Sequence, residues 1–84
     1  WLNILRIKEK KYKINKDKLI DNLQKKGIET RPIWYANHLQ LPYKNYQNFK
    51  IEKSIDLINN SICLPSGYNL TDENLNYIIN NLRR

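Results

Sequence analysis

Apolar residues arrive along this chain in short bursts whose spacing changes from one burst to the next. Residues 1–8, Trp-Leu-Asn-Ile-Leu-Arg-Ile-Lys, are apolar and β-favouring, too short for a helix, and give way to the hydrophilic Glu9-Lys10-Lys11; they predict a strand. Ile14-Asn15 then reads as a helix start, with Asn15 as N-cap and Ile14 placed to staple onto Leu19. Leu19, Ile20 and Leu23 form the inward stripe of that helix. Gly27 ends it where a left-handed residue is wanted, and Ile28 is spaced to touch Leu23 across the turn.

A second strand is predicted over Ile28 to Ile33, closed by Pro32, whose missing N–H suits an edge or a strand end. Residues 34–48 hold four aromatics and His38 without a clean period, so they read as a long loop with one helical turn at most. Loops of that length in compact domains are functional or disordered, and the aromatics argue against disorder. Ile51, Ile55 and Ile58 recur at helical spacing after the candidate cap Asn48 and predict a helix of about three turns. Ser61-Ile62-Cys63-Leu64 reads as a buried strand stopped by Pro65-Ser66-Gly67. Thr71 caps a last helix, with Leu70 and Leu75 spaced as its staple; Leu75, Ile78, Ile79 and Leu82 follow at i, i+3, i+4 and i+7, and Arg83 and Arg84 complement its negative end. The order β-α-β-loop-α-β-α predicts an α/β (α+β) fold: a small three-stranded sheet with helices packed on one face, leaving another face for a larger partner domain.

Length and composition narrow the picture. Eighty-four residues make one domain at most, burying only about 60–65% of the surface its unfolded form exposes. A deep, self-contained active site is not expected from so small a core. The chain has no Met and opens at Trp1 inside an apolar run, which reads as a fragment, a processed form or an ordered remnant. No apolar stretch approaches the roughly 20 residues of a membrane span, and no signal-peptide pattern is present; a soluble protein with no membrane partner is expected. The single cysteine, Cys63, sits in an apolar run without an intrachain partner, which points to a reducing cytoplasm and to a small buried hydrophobe in place of a nucleophile. The net charge of +7 is uneven: residues 1–26 hold nine of the fifteen Lys and Arg against three of the eight acids. Such an end can meet phosphates or an acidic surface, but a Lys-rich turn is more often a solvated face.

Candidate chemistry is scarce. Any nucleophile–base pair would rest on the one histidine, His38, with no second residue pointing to such a site. One His and one Cys 25 positions apart fall short of a metal-ligand set, and two glycines make no phosphate loop. A Gly-x-x-Gly clamp and an aromatic RNA-binding strand motif are both missing, so nucleic acid is disfavoured as a partner, leaving only charge and the interleaved Tyr12 in its support.

One stretch sharpens the reading: Gly27-Ile28-Glu29-Thr30-Arg31-Pro32-Ile33-Trp34-Tyr35-Ala36-Asn37-His38-Leu39-Gln40, followed by Leu41-Pro42-Tyr43. It resembles the C-terminal segment of the pyridoxal-phosphate-dependent sugar aminotransferases of the DegT/DnrJ/StrS type, whose members carry Gly-Ile-x-Thr-Arg-Pro, an aromatic pair, then His-x-Gln and Pro-Tyr. Downstream, Leu64-Pro65-Ser66 and Asn69-Leu70-Thr71-Asp72-Glu73 resemble the family's Leu-Pro-Ser-Ser-x-Asn-Leu-Thr-x-Glu. Trp1 and the strand after it resemble the entry to the same small domain, so the resemblance spans essentially the whole chain. Two departures stand out: Ala36 where the family commonly has Pro, which loosens the loop, and Gly67 where a second Ser is usual.

The resemblance implies that residues 1–84 are the C-terminal small domain of a fold-type-I enzyme. Such an enzyme moves an amino group, typically from glutamate, onto a keto group of a nucleotide-linked sugar, in bacterial surface-polysaccharide or glycan biosynthesis. It implies pyridoxal phosphate as cofactor, held mainly by a large domain outside this chain together with the Schiff-base lysine, so no residue here is assigned as catalytic. It further implies the large domain as partner, a homodimer, and a nucleotide-sugar substrate. The substrate-facing candidates it singles out are Arg31, Trp34, Tyr35, His38 and Gln40. Each has a plainer alternative. Arg31 can recognise a carboxylate or phosphate or merely pair with Glu29; His38 can hydrogen-bond a sugar or be structural; Trp34 and Tyr35 can stack on a sugar or a partner subunit, or fill an interface. The competing class is a free-standing binding module that has kept the same fold.

Overall fold

The computed structural model describes residues 1–83; Arg84, expected to complement the last helix, lies outside the described residues. Three strands, β1 (Asn3–Arg6), β2 (Arg31–Pro32) and β3 (Ser61–Leu64), form an antiparallel sheet in the order β1-β3-β2. Four helices complete the fold: α1 (Glu9–Tyr12), α2 (Lys16–Lys25), α3 (Ser54–Asn59) and α4 (Asp72–Leu82). β3 is the central strand, pairing Leu5 with Ile62 on one side and Pro32 with Ile62 on the other.

Alternation along β3 divides the sheet into two faces. Leu5, Ile62 and Leu64 share the inner one, where Ile62 is fully buried among Ile7, Ile14, Leu19, Leu23, Ile28 and Ile78. Ile4, Cys63 and Arg31 lie in register on the outer face, where Ile4 is about half exposed. Helices therefore cover one face, as the sequence pattern predicts.

The α2 signals resolve into their expected contacts. Asn15 accepts a hydrogen bond from the Lys18 N–H at 2.9 Å, and Ile14 and Leu19 enter the same core. Gly27 takes φ +74°, the Ile28 N–H bonds the Leu23 carbonyl at 2.9 Å, and the Gly27 N–H bonds the Gln24 carbonyl at 3.0 Å. This bond pair is the Schellman arrangement, with the buried Leu23 and Ile28 as its apolar contact. Thr71 likewise caps α4, accepting from the Asn74 N–H at 3.2 Å.

Side chains distant in sequence also satisfy carbonyls at the helix ends. The Tyr12 hydroxyl donates to the Leu82 carbonyl, Tyr77 to Lys26 at 3.0 Å, and Lys16 Nζ to Ile58 at 3.1 Å. Each occupies one of the carbonyls a helix C-terminus leaves without an internal partner, fastening α4, α2 and α3 to elements elsewhere in the chain.

Four expectations need correction. The second strand shrinks from Ile28–Ile33 to Arg31–Pro32. Pro32 cannot donate, so Arg31 and Cys63 must be the hydrogen-bonded pair; the next such pair would set Glu29 against Pro65, which also lacks an N–H. The helix expected after Asn48 begins only at Ser54, behind Lys53, which makes no side-chain cap. Lys50 at φ +45° breaks any helical path upstream, and Ile51 and Ile55 stay exposed. α1, a single turn closed by Lys13 at φ +72°, was not expected, because only Tyr12 packs partly buried on the core and one turn leaves no periodic trace. On α4 only Ile78 is buried and Leu82 partly so, while Leu75 and Ile79 remain more than two-fifths exposed.

Candidate functional site

The long loop is a succession of turns, the last of them closed by the Tyr46 N–H on the Tyr43 carbonyl at 3.0 Å. Ala36 is buried, and a 3-10 turn follows at Asn37–Leu39. Gln40 braces this turn, its Nε2 donating to the Tyr35 carbonyl at 3.3 Å and to Asn37 Oδ1 at 3.2 Å. Trp34 and Tyr35 are mostly exposed, and His38, inside the turn, is half-buried. From 41 to 53 every residue is exposed, including Leu41, Tyr43, Tyr46 and Phe49. The Cα radius of gyration is 15.2 Å, against about 12 Å for a compact chain of this length, in keeping with a fully exposed segment over residues 41–53.

Ala36 sits at φ −62° and ψ 130°, a backbone that proline adopts without strain, and its N–H makes no backbone hydrogen bond. The departure from the family's Pro therefore leaves the local path intact. Ala36→Pro is expected to stabilise the chain by about 0.4–1 kcal/mol by restricting the unfolded state, a rise in thermal midpoint that calorimetry resolves.

Arg31 stands apart from the aromatic turn. Its guanidinium makes two hydrogen bonds to Glu29 Oε1, at 2.8 and 3.2 Å, with both side chains about three-quarters exposed. The Glu29 hydrogen bond first, and its charge second, push the Arg31 pKa above its ordinary value. A solvated pair of this kind contributes little to folding and opens readily to another anion.

Arg31 also lies at the rim of an open groove of about 550 Å³. Its walls are Gly27–Arg31 on one side and Cys63–Gly67, Asn69 and Leu70 on the other, with Asn74, Tyr77 and Ile78 of α4 behind. The two motif segments singled out in the sequence, more than 30 positions apart, thus meet at one groove. Trp34, Tyr35, His38 and Gln40 do not line it. Reasoning from sequence named Arg31 but passed over Thr30, Ser66 and Asn69, although both motifs contained them. At Gly67 an added Cβ would lie 2.7 Å from Asn69 Oδ1, so the glycine makes room for the Asn69 amide to fold back over the turn.

No lysine lines the groove. Lys16, the lysine drawn furthest into the fold, spends its ammonium on the Ile58 carbonyl. The groove by itself therefore supplies no lysine to carry a Schiff base. Among the described residues no cluster of His, Cys, Asp and Glu fits a metal ion, and no helix is long and apolar enough to cross a membrane.

A small antiparallel sheet backed by helices thus carries both motif segments on one groove. The chain belongs to the DegT/DnrJ/EryC1/StrS aminotransferase family, whose profile matches residues 1–83. Among solved structures it is similar to a chain described as a sugar aminotransferase from Streptococcus pneumoniae in its PMP form. That likeness has a TM-score of 0.69 at 25% identity, over 96% of this chain and 21% of the other. The 84 residues thus span about one-fifth of that relative's length.

Proposed function

We propose that residues 1–84 are the C-terminal small domain of a pyridoxal-phosphate-dependent sugar aminotransferase. The observation that carries this reading is the family match over essentially the whole chain, set beside its coverage of only 21% of a related aminotransferase chain. The parent transfers an amino group from glutamate to a keto nucleotide-sugar for bacterial surface-polysaccharide or glycan synthesis, as a cytoplasmic homodimer. When bound, the cofactor supplies the electron sink for amino-group transfer; the large domain holds it. The part played by this chain is to close one side of the substrate cleft. Arg31 offers a planar fork for a carboxylate or phosphate, His38 a hydrogen bond to the sugar, and Trp34 and Tyr35 exposed faces for stacking. Gln40 keeps the turn carrying His38 in shape through its bonds to Tyr35 and Asn37.

The division of labour has a spectroscopic test. Mixed with pyridoxal phosphate, the 84-residue chain is expected to give slow, scattered modification of surface lysines after borohydride reduction. A stoichiometric adduct at one lysine, located by peptide mass mapping, would show that the chain holds the cofactor itself and would refute the assignment.

A further inference from the structure

Glu29 and Arg31 face the same way because the residues between and before them face the other. Ile28 and Thr30 are buried, and successive side chains of an extended chain alternate between sides, so Glu29 and Arg31 both project outward at the groove rim. There Arg31 Nε and Nη2 meet a single carboxylate oxygen, Glu29 Oε1, at 3.2 and 2.8 Å. One whole edge of the guanidinium is thus spent on one oxygen.

Among the described residues, Glu29 and Arg31 are also the only charged side chains lining the groove. Its other polar groups, such as Ser66, Asn69 and Asn74, are neutral. The groove therefore has one cation with which to hold an anion, and that cation already holds a tethered one. With both side chains about three-quarters exposed, the pair is weakly held. It opens by side-chain rotation and leaves the strand pairing of Arg31 with Cys63 in place.

The tether decides which anions open it. A free carboxylate offers Arg31 only the two bonds that Glu29 already makes, and Glu29 is kept beside it at the high effective concentration of a short link. A phosphoryl group carries more charge and presents a separate oxygen to each N–H, the arrangement that the planar fork fits.

We propose that Glu29 is a built-in competitor at this rim, and that the anion Arg31 takes up when the pair opens is a phosphoryl group of the nucleotide-linked substrate and not the carboxylate of the amino donor. The proposal rests on the small-domain reading above. Glu29 touches no reacting atom; it neutralises Arg31 until substrate arrives and sets the threshold for anion entry.

The test is a double-mutant cycle in the full-length parent with its cofactor bound, using inorganic pyrophosphate as the probe in titration calorimetry. Glu29→Gln keeps the shape and removes the charge. It is expected to tighten pyrophosphate binding about threefold, the size expected when a solvated ion pair stops competing, whereas Arg31→Ala should weaken it. In the Arg31→Ala background, Glu29→Gln should leave the affinity unchanged. An equal gain in both backgrounds would mean that Glu29 acts only through the net charge of the surface, and no gain in either would mean that it does not compete; each result overturns the proposal. Steady-state kinetics then identify the substrate concerned. Glu29→Gln should lower KM for the nucleotide sugar about threefold and leave KM for glutamate as it was; the opposite pattern would place the donor carboxylate at Arg31 and refute the assignment. A parent that binds pyrophosphate as expected but does not transaminate would remove the enzymatic reading and leave Glu29 as the competitor at an anion site. A parent that transaminates with pyrophosphate affinity indifferent to Glu29 would do the reverse.

Discussion

Truncating Ile62 to alanine is expected to cost roughly 2–5 kcal/mol, the range for deleting a large aliphatic side chain from a closed core. Ile62 has no exposed surface and sits on the central strand, paired with both neighbours. Its side chain lies where α2, α4 and the loop before β2 converge through Leu23, Ile78 and Ile28. Collapse around the cavity would have to move the sheet and two helices together, so little relief is available. A domain of this size has only a few kcal/mol of net stability. The variant should therefore be largely unfolded without denaturant, seen as loss of near-ultraviolet circular dichroism. Leu57→Ala, on an exposed α3 position, is the matched control and should stay folded. A folded Ile62→Ala with a urea midpoint near that of the wild type would mean that the core does not depend on β3.

In the full-length parent, His38→Ala and Arg31→Ala are each expected to reduce nucleotide-sugar turnover about tenfold, roughly 1.4 kcal/mol in transition-state binding. Cofactor binding and the glutamate half-reaction should stay largely intact, because a residue that positions one substrate affects only the steps containing it. The two variants probe different places. His38 belongs to the 3-10 turn held by Gln40, whereas Arg31 lies at the groove rim and must leave Glu29 to engage an anion. Arg31 should therefore act on binding of the substrate's anionic group and raise KM, while His38 should act mainly on kcat. Lys11→Ala, in the exposed basic turn of α1, should change nothing measurable. Wild-type sugar kinetics in both variants, or loss of cofactor along with sugar turnover, would make Arg31 and His38 structural.

Several features of the fold were legible from residues close together in the chain. Asn15 and Thr71 cap helices, Gly27 closes α2 in a left-handed turn, and Ser61–Leu64 forms the buried strand. In each case the deciding interaction spans a few positions, or one alternating run, so a single sequence contains it. The aromatic turn was legible as a loop for the same reason: its lack of any period is itself a local property.

What tertiary structure decided depends on residues far apart. β2 does not extend back towards Glu29 because Pro65, 34 positions from Arg31, falls where the ladder would need its N–H. That conflict appears only once the strand register is known. Ile51, Ile55, Leu75 and Ile79 have helical spacing but remain exposed, since periodicity declares a face without saying whether 84 residues can cover it. α1 is held by turn hydrogen bonds and the reach of Tyr12 to Leu82, 70 residues away. The groove is likewise a product of assembly. Gly27–Arg31 and Leu64–Asn69 carry ordinary turn and strand residues, and only antiparallel pairing across Arg31 and Cys63 brings Thr30 opposite the end of β3 and leaves its hydroxyl buried without a partner. Local signals set the ends of elements because capping and turn energies act within a few residues; strand length, helix burial and the groove were set by contacts whose partners the chain brings together only on folding.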